Sequence, residues 1–174
     1  MEGIYSNIYF PCRWVPFKRR RMKDPCGKHY VSCNCIASCG ILEDKKLEIV
    51  LDVKGCNFNC RLCWGYKLRY EAHPIVKSVD QVVEDIICRY KKVRFLEEKG
   101  YRFYALRFTG NEPSLQWSHV IEVVKAVKNL GIFQKAIIET NGVLFVERLD
   151  LLKSLEGTSG IMIDIDVSLS LIHI

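Results

Sequence analysis

The chain has 174 residues with a formal net charge of +6, and 49% of its residues are hydrophobic, which fits one folded domain with an apolar core. It contains no run of about 18 apolar residues, so no membrane span is predicted, and no basic segment followed by an apolar one, so no secretory signal is expected. We therefore expect a cytoplasmic protein. In that reducing compartment its nine cysteines are expected to bind metals rather than to form disulfides.

The first 45 residues are predicted to form a basic, cysteine-rich extension of irregular structure, followed by a core at 46–174. Residues 1–40 carry seven lysines and arginines against two acids, whereas the rest of the chain is nearly neutral. The basic run at 18–21 could bind RNA phosphates or an acidic partner, or it could be a solvated arm. Four thiols here are enough for a second metal site, a structural zinc or an auxiliary iron–sulfur cluster, unless they are free thiols. They are Cys26, Cys33, Cys35 and Cys39.

From residue 47 onward, apolar patterns predict strands that alternate with helices. Ser78 and Gln81 form a capping-box pattern that begins the first helix, and Gly100 ends it. Strands that alternate with helices form right-handed βαβ units around a parallel sheet, and their functional residues lie at the carboxyl ends of the strands. The predicted strands are 47–53, 101–108, 135–139 and 161–167, and the predicted helices are 79–93, 120–130 and 145–155.

Directly after the first predicted strand comes a C-x3-C-x2-C motif formed by Cys56, Cys60 and Cys63. Three thiolates on one short loop can hold three corners of an iron–sulfur cube and leave the fourth iron open to a substrate. A structural zinc site or a plain electron-transfer cluster would need a fourth ligand. No further cysteine follows until Cys88, which the helical pattern predicts to be a buried thiol.

Polar loops follow the later strands. Gly-Asn-Glu-Pro at 110–113 follows the second strand, where glycine lets the backbone approach a ligand, although an ordinary turn before a proline-started helix fits the same residues. Thr-Asn-Gly at 140–142 follows the third strand and also fits a turn without function. Asp164, Asp166 and Ser168 share one face of the fourth strand, which could equally be a solvated edge.

The cysteine motif, Gly-Asn-Glu-Pro and Glu-Thr-Asn-Gly, in this order, resemble the motifs of the radical SAM superfamily (SAM is S-adenosylmethionine). The resemblance implies an α/β fold, a partial barrel of parallel βα units. Because such cores generally have six units and four are visible here, we expect the chain to be truncated after the fourth strand. The resemblance also implies that Cys56, Cys60 and Cys63 hold a [4Fe–4S] cluster whose open iron is chelated by SAM. Reductive cleavage then yields methionine and a 5′-deoxyadenosyl radical, which abstracts hydrogen from a substrate.

The same resemblance implies which residues contact SAM. The residue before the third cysteine is often aromatic and lies near the adenine; here it is Leu62, and Trp64 is expected to take over the packing role. The loop at 110–112 is expected to receive the SAM amino group, for which a carboxylate and main-chain carbonyls are suited. Polar groups after the third and fourth strands are expected near the methionine, the ribose and the carboxylate. The implied contacts are Leu62, Trp64, Gly110, Asn111, Glu112, Thr140, Asn141 and Ser168.

The substrate, which could be a protein, an RNA or a small molecule, cannot be read from these motifs. Their combination looks most like the activating enzymes of glycyl-radical proteins, with a flavodoxin- or ferredoxin-like electron donor as the implied partner. The pair at 63–64, Cys-Trp, is similar to tRNA-modifying members, and the basic arm would suit RNA. A non-catalytic zinc-binding module associated with nucleic acid is the alternative from a different class of protein.

Overall fold

The computed structural model describes residues 13–14, 37–41, 45–58, 60, 63, 75–156, 158 and 161–167. Within these ranges seven strands form one sheet: β1 Arg13–Trp14, β2 Ala37–Ile41, β3 Lys46–Val53, β4 Ile75–Val76, β5 Arg102–Gly110, β6 Lys135–Thr140 and β7 Met162–Val167. Their order across the sheet is β4-β1-β3-β5-β6-β7, and β2 also pairs with β3.

Strands β3, β5, β6 and β7 run parallel, with Val53 opposite Gly110 and Thr140 opposite Val167. They correspond to the four predicted strands, and the prediction of an α/β fold built as a partial parallel (βα) barrel is confirmed. Strand β5 was predicted to end at Phe108 but continues to Gly110, because it pairs with β3 as far as Val53. The carboxyl ends of β3, β5 and β6 therefore lie at one edge of the sheet.

The N-terminal part of the chain adds antiparallel strands to this sheet. Strand β2 pairs with residues 47–51 of β3, and β1 pairs with both β3 and β4. The prediction of an irregular N-terminal segment did not include these strands. Short strands of two to five residues are too brief for a periodic pattern to reveal.

The first helix begins and ends where the sequence predicts. Helix α1 is Val79–Val93, and Ser78 and Gln81 form the predicted capping box, with the serine Oγ accepting from the Gln81 amide and the Gln81 Oε1 accepting from the Ser78 amide. A 3₁₀ helix, Arg94–Lys99, continues it to Gly100, which takes the left-handed conformation at φ 80°. Glycine is favoured at such a position because it has no Cβ, which would clash with the main chain in the left-handed conformation.

The later helices differ from their patterns in their bounds, and the last one is interrupted. A 3₁₀ turn, Pro113–Gln116, leads into α2, Trp117–Lys128. The single helix predicted at 145–155 is instead α3, Val143–Glu147, followed by a 3₁₀ helix, Leu149–Leu155. Arg148 separates them with a non-helical backbone, and its guanidinium donates two hydrogen bonds to Asp150. The predicted helix is therefore interrupted at Arg148.

The two faces of the sheet have different chemistry. Because side chains alternate along a strand, one face of the parallel strands carries apolar residues that pack against α1 and α2 as the core. The opposite face carries charged residues, among them Glu48, Arg107 and Glu139. The core includes the buried residues Leu47, Ile49, Leu51, Leu106, Phe108, Ile138, Val82, Ile86, Val120 and Val124. No helix in the described part of the chain is long and apolar enough to cross a membrane.

Candidate functional site

The cysteine loop leaves the buried strand β3 through Gly55, whose φ of 100° allows the chain to turn. Cys56, Cys60 and Cys63 follow, and each is half-buried. The Phe58 amide donates a hydrogen bond of 3.4 Å to the Cys56 Sγ, and the Cys63 amide donates to the Cys60 carbonyl at 3.3 Å. Amide groups directed at sulfur stabilise thiolate ligands and tune iron–sulfur clusters.

The donor set of this loop fits an iron–sulfur cluster. Three soft thiolates, without a fourth nearby in the sequence, suit iron–sulfur or zinc chemistry rather than a hard cation. Among the described residues, no three metal-ligating side chains lie close enough together to hold one ion as they stand. In a [4Fe–4S] cluster the three thiolates would each bind a different iron rather than converge on one ion.

The loop after β5 packs tightly against the cysteine loop. Gly110 has φ 100°, and a Cβ at this position would lie 2.7 Å from the Val53 carbonyl oxygen, so no larger residue fits there. The Asn111 amide donates to that same Val53 oxygen at 3.1 Å, and the Glu112 amide donates to the Gly55 carbonyl at 2.9 Å. The Gly55 amide donates in return to the Asn111 Oδ1 at 3.2 Å. These bonds fix the loop at 110–112 against the start of the cysteine loop.

The carboxylate of Glu112 lies inside the protein, with the residue only 1% exposed. Its Oε1 accepts hydrogen bonds from the Ser114 amide at 3.0 Å and from the Thr140 hydroxyl at 2.5 Å. Its Oε2 accepts one from the Asn141 amide at 2.7 Å. Both carboxylate oxygens therefore accept hydrogen bonds from the protein itself, and two of the donors lie at the carboxyl end of β6.

The Thr-Asn-Gly turn after β6 is buried rather than solvated. Thr140 and Asn141 are 5% and 8% exposed, and Gly142 has φ 74°. The Asn141 Oδ1 accepts from the Val143 amide at 3.1 Å, and its Nδ2 donates to the Asn57 Oδ1 in the cysteine loop at 2.7 Å. The three predicted loops thus meet at one edge of the sheet.

A charged cluster on the face of the sheet opposite helices α1 and α2 was not predicted from the sequence. Arg107 donates to the Glu48 Oε2 at 2.8 Å and to the Glu139 Oε1 at 2.5 Å, and the Thr109 hydroxyl also donates to Glu139. Burial opposes the charge of Arg107, but the hydrogen bonds and charges of the two glutamates outweigh it and raise the pKa of Arg107 above its ordinary value. Polar residues at alternate positions of the predicted strands were the signal that could have revealed this cluster.

The remaining predicted site residues are placed as follows. Asp164, on β7, forms an ion pair of 2.6 Å with Lys135 of β6. Asp166 lies opposite Glu139 in the register of β6 and β7. Cys39 lies in β2, opposite Ile49. The predicted site residues that lie outside the described residues are Leu62, Trp64, Ser168, Cys26, Cys33 and Cys35.

Cys88 was predicted to be a buried thiol. It lies in α1, as the helical pattern indicated, but the residue is only half-buried.

Comparison with known proteins identifies the family. The model of the Radical SAM superfamily matches residues 50–170, a span that covers more than half of the chain and contains all three loops of the site. No curated protein matches this chain. The chain therefore belongs to the radical SAM superfamily, whose enzymes typically use a [4Fe–4S] cluster and SAM.

Proposed function

We propose that Cys56, Cys60 and Cys63 hold a [4Fe–4S] cluster at which this protein cleaves SAM. The observation that carries the proposal is the position of the cysteine loop, which is hydrogen-bonded to the loop after β5 through Gly55 and to the loop after β6 through Asn57. When bound, the cluster supplies the electron that splits SAM into methionine and a 5′-deoxyadenosyl radical, which takes a hydrogen atom from a substrate.

The loop after β5 would orient the amino group of SAM. Because the Glu112 carboxylate is occupied by protein donors, we assign this contact to the main-chain carbonyls of 110–112, which Gly110 brings close to the cysteine loop. Thr140 and Asn141 lie beside this loop and would flank the methionine or ribose. Three further contacts stay predictions: Leu62 and Trp64 toward the adenine, and Ser168 toward the ribose or carboxylate.

The substrate class is part of the proposal. The combination of the three motifs supports activation of a glycyl-radical protein, with a flavodoxin- or ferredoxin-like electron donor in the cytoplasm. The basic run at 18–21 instead favours an RNA substrate, because clustered lysine and arginine neutralise phosphates. Incubation of the reconstituted protein with an RNA hairpin or with a glycyl-radical protein distinguishes the two substrate classes. An RNA substrate would become chemically modified, whereas a glycyl-radical protein would acquire a radical.

A second metal site at Cys26, Cys33, Cys35 and Cys39 is also proposed. Its support is the concentration of thiols in this segment and the pairing of β2 with β3, which attaches Cys39 to the strand that leads to Cys56. The metal would be zinc or the iron of an auxiliary cluster, both of which thiolates bind well. Metal analysis after anaerobic purification would show zinc, or iron beyond that of one cluster.

Anaerobic reconstitution with iron and sulfide tests the main proposal. We expect a brown protein that produces 5′-deoxyadenosine from SAM when dithionite is added. Replacement of Cys56, Cys60 or Cys63 by alanine should lower that rate at least about 100-fold and reduce bound iron, because each change removes a cluster ligand.

Cys88→Ala is the matched control, since Cys88 lies within α1 rather than on the cysteine loop, and it should keep both iron and activity. A colourless protein with stoichiometric zinc would identify the non-catalytic module instead. Retention of full iron and SAM cleavage in any of the three cysteine variants would contradict the proposed cluster site.

A further inference from the structure

Glu112 occupies the junction of the three loops at the carboxyl ends of β3, β5 and β6. Its main-chain amide donates to the Gly55 carbonyl of the cysteine loop at 2.9 Å. Its side chain accepts from Thr140, the last residue of β6, at 2.5 Å and from Asn141, the first residue after β6, at 2.7 Å. One residue therefore connects both neighbouring loops, through its main chain on one side and its carboxylate on the other.

The connection continues from Asn141 back to the cysteine loop. The Asn141 carboxamide is held at its oxygen by the Val143 amide and uses its nitrogen to donate to the Asn57 Oδ1. Asn57 directly follows Cys56, the first ligand of the proposed cluster. A closed circuit results, which runs from Gly55 through Glu112 and Asn141 to Asn57.

The circuit depends on an acceptor with two strong oxygens. Hydrogen bonds to a carboxylate are roughly twice as strong as those between neutral groups, and the surroundings of Glu112 are almost fully shielded from water. Loss of one oxygen would leave a buried amide or hydroxyl without its acceptor, which costs more than the bond itself contributes. The Thr140 hydroxyl reinforces the circuit because it also accepts from the Gly142 amide at 3.0 Å.

We propose that Glu112 is a positioning residue whose carboxylate fixes the Thr140–Asn141 turn and, through the Asn141 carboxamide, the place of Asn57 and Cys56. The inference rests on the proposed function, because Glu112 would set the position of the cysteine loop relative to the main-chain carbonyls assigned to SAM. The carboxylate is not itself a SAM ligand. Small displacements of reacting groups lower a rate strongly while substrate is still bound.

Glu112→Gln tests this role, because glutamine keeps the shape but replaces one acceptor oxygen with an NH2 donor. In the reconstituted enzyme we expect unchanged iron content and a kcat for 5′-deoxyadenosine formation that falls about 10- to 100-fold, with KM for SAM altered by less than about threefold. Thr140→Val should lower kcat in the same way, and Thr140→Ser, which keeps the hydroxyl, should restore it.

A second measurement needs no cofactor. In the metal-free protein, Glu112→Gln should speed amide hydrogen exchange both at Asn141 and at Phe58, whose amide donates to the Cys56 Sγ. A merely local role would affect Asn141 alone. Glu97→Gln is the matched control, since Glu97 is exposed, lies outside the three loops, and has a carboxylate that accepts hydrogen bonds from the Tyr90 hydroxyl.

Two results would overturn the inference. A higher KM for SAM with an unchanged kcat in Glu112→Gln would make the carboxylate a direct ligand. Unchanged kcat together with unchanged exchange at Phe58 in both Glu112→Gln and Thr140→Val would show that the circuit positions nothing. If the wild-type protein does not cleave SAM, the proposed function fails, whereas the exchange measurement still decides whether Glu112 controls the cysteine loop.

Discussion

At the scale of single residues, Gly110 is the most constrained position of the site. Its left-handed backbone, at φ 100°, brings the chain so close to β3 that a Cβ would lie 2.7 Å from the Val53 oxygen and 3.0 Å from the Val53 nitrogen. These are main-chain atoms in a central strand, so they cannot move aside as a flexible side chain would. The close approach is what places the loop at 110–112 beside the cysteine loop.

We therefore expect Gly110→Ala to destabilise the protein by more than about 2 kcal/mol, the sum of backbone strain and the clash with Val53. SAM cleavage should fall at least about tenfold, because the carbonyls assigned to the amino group are displaced. Urea unfolding and the 5′-deoxyadenosine assay measure the two effects.

Gly131→Ala provides the comparison, since Gly131 also has a positive φ, 65°, but nothing lies within 4 Å of its Cβ position. It should lose only the strain, about 1 kcal/mol, and keep its activity. Equal losses in the two variants would show that the contact with Val53 has no importance.

At the scale of secondary-structure elements, the ion cluster around Arg107 joins three strands of the sheet. Glu48 of β3 and Glu139 of β6 bind the guanidinium of β5 from opposite sides. Their exposures differ, because the Glu48 side chain is 11% exposed and that of Glu139 is 39% exposed. Solvent screens the second ion pair more than the first.

We expect Glu48→Gln to lower the free energy of unfolding by about 1–3 kcal/mol and Glu139→Gln by less than about 1 kcal/mol. The physical reason is that a shielded charge left with a weaker partner loses more than one in contact with water. Chemical denaturation of the two variants measures the difference. A larger loss for Glu139→Gln would mean that its bond from Thr109, rather than exposure, governs the cluster.

At the scale of the whole molecule, the apolar core lies apart from the loop that carries Cys56, Cys60 and Cys63. The largest buried apolar side chains lie between the parallel sheet and helices α1 and α2, whereas the three cysteines of the motif lie on a loop at the edge of that sheet. A protein built in this way should fold before it binds its cluster. Small zinc modules behave differently, because they unfold when the metal is removed.

Removal of the cluster by a chelator and oxidant should therefore leave the far-ultraviolet circular dichroism spectrum nearly unchanged. The Tm should fall by about 5–10 °C, as expected when a ligand that stabilises only the native state is lost. Loss of the helical signal on metal removal would instead mean that the metal site maintains the fold.

Much of the fold follows from local patterns in the sequence. The four parallel strands and α1 lie where apolar periodicity, the Ser78–Gln81 capping box and Gly100 predict them, because each of these signals acts over only a few residues. The shorter elements could not be read in this way. The helix predicted at 145–155 is interrupted at Arg148, and β1 and β2 are too short to show a period.

The sequence by itself indicated the family and the chemistry proposed for this protein, since the three-cysteine motif, the glycine turns and the order of the loops are all local and could be read directly. Only the tertiary structure decided what the polar residues contact. Glu112 meets Thr140 and Asn141, which are 28 and 29 positions away, and Arg107 meets Glu48 at a separation of 59. Hydrogen bonds between residues so far apart in the sequence depend on the register of neighbouring strands, which no short sequence pattern specifies.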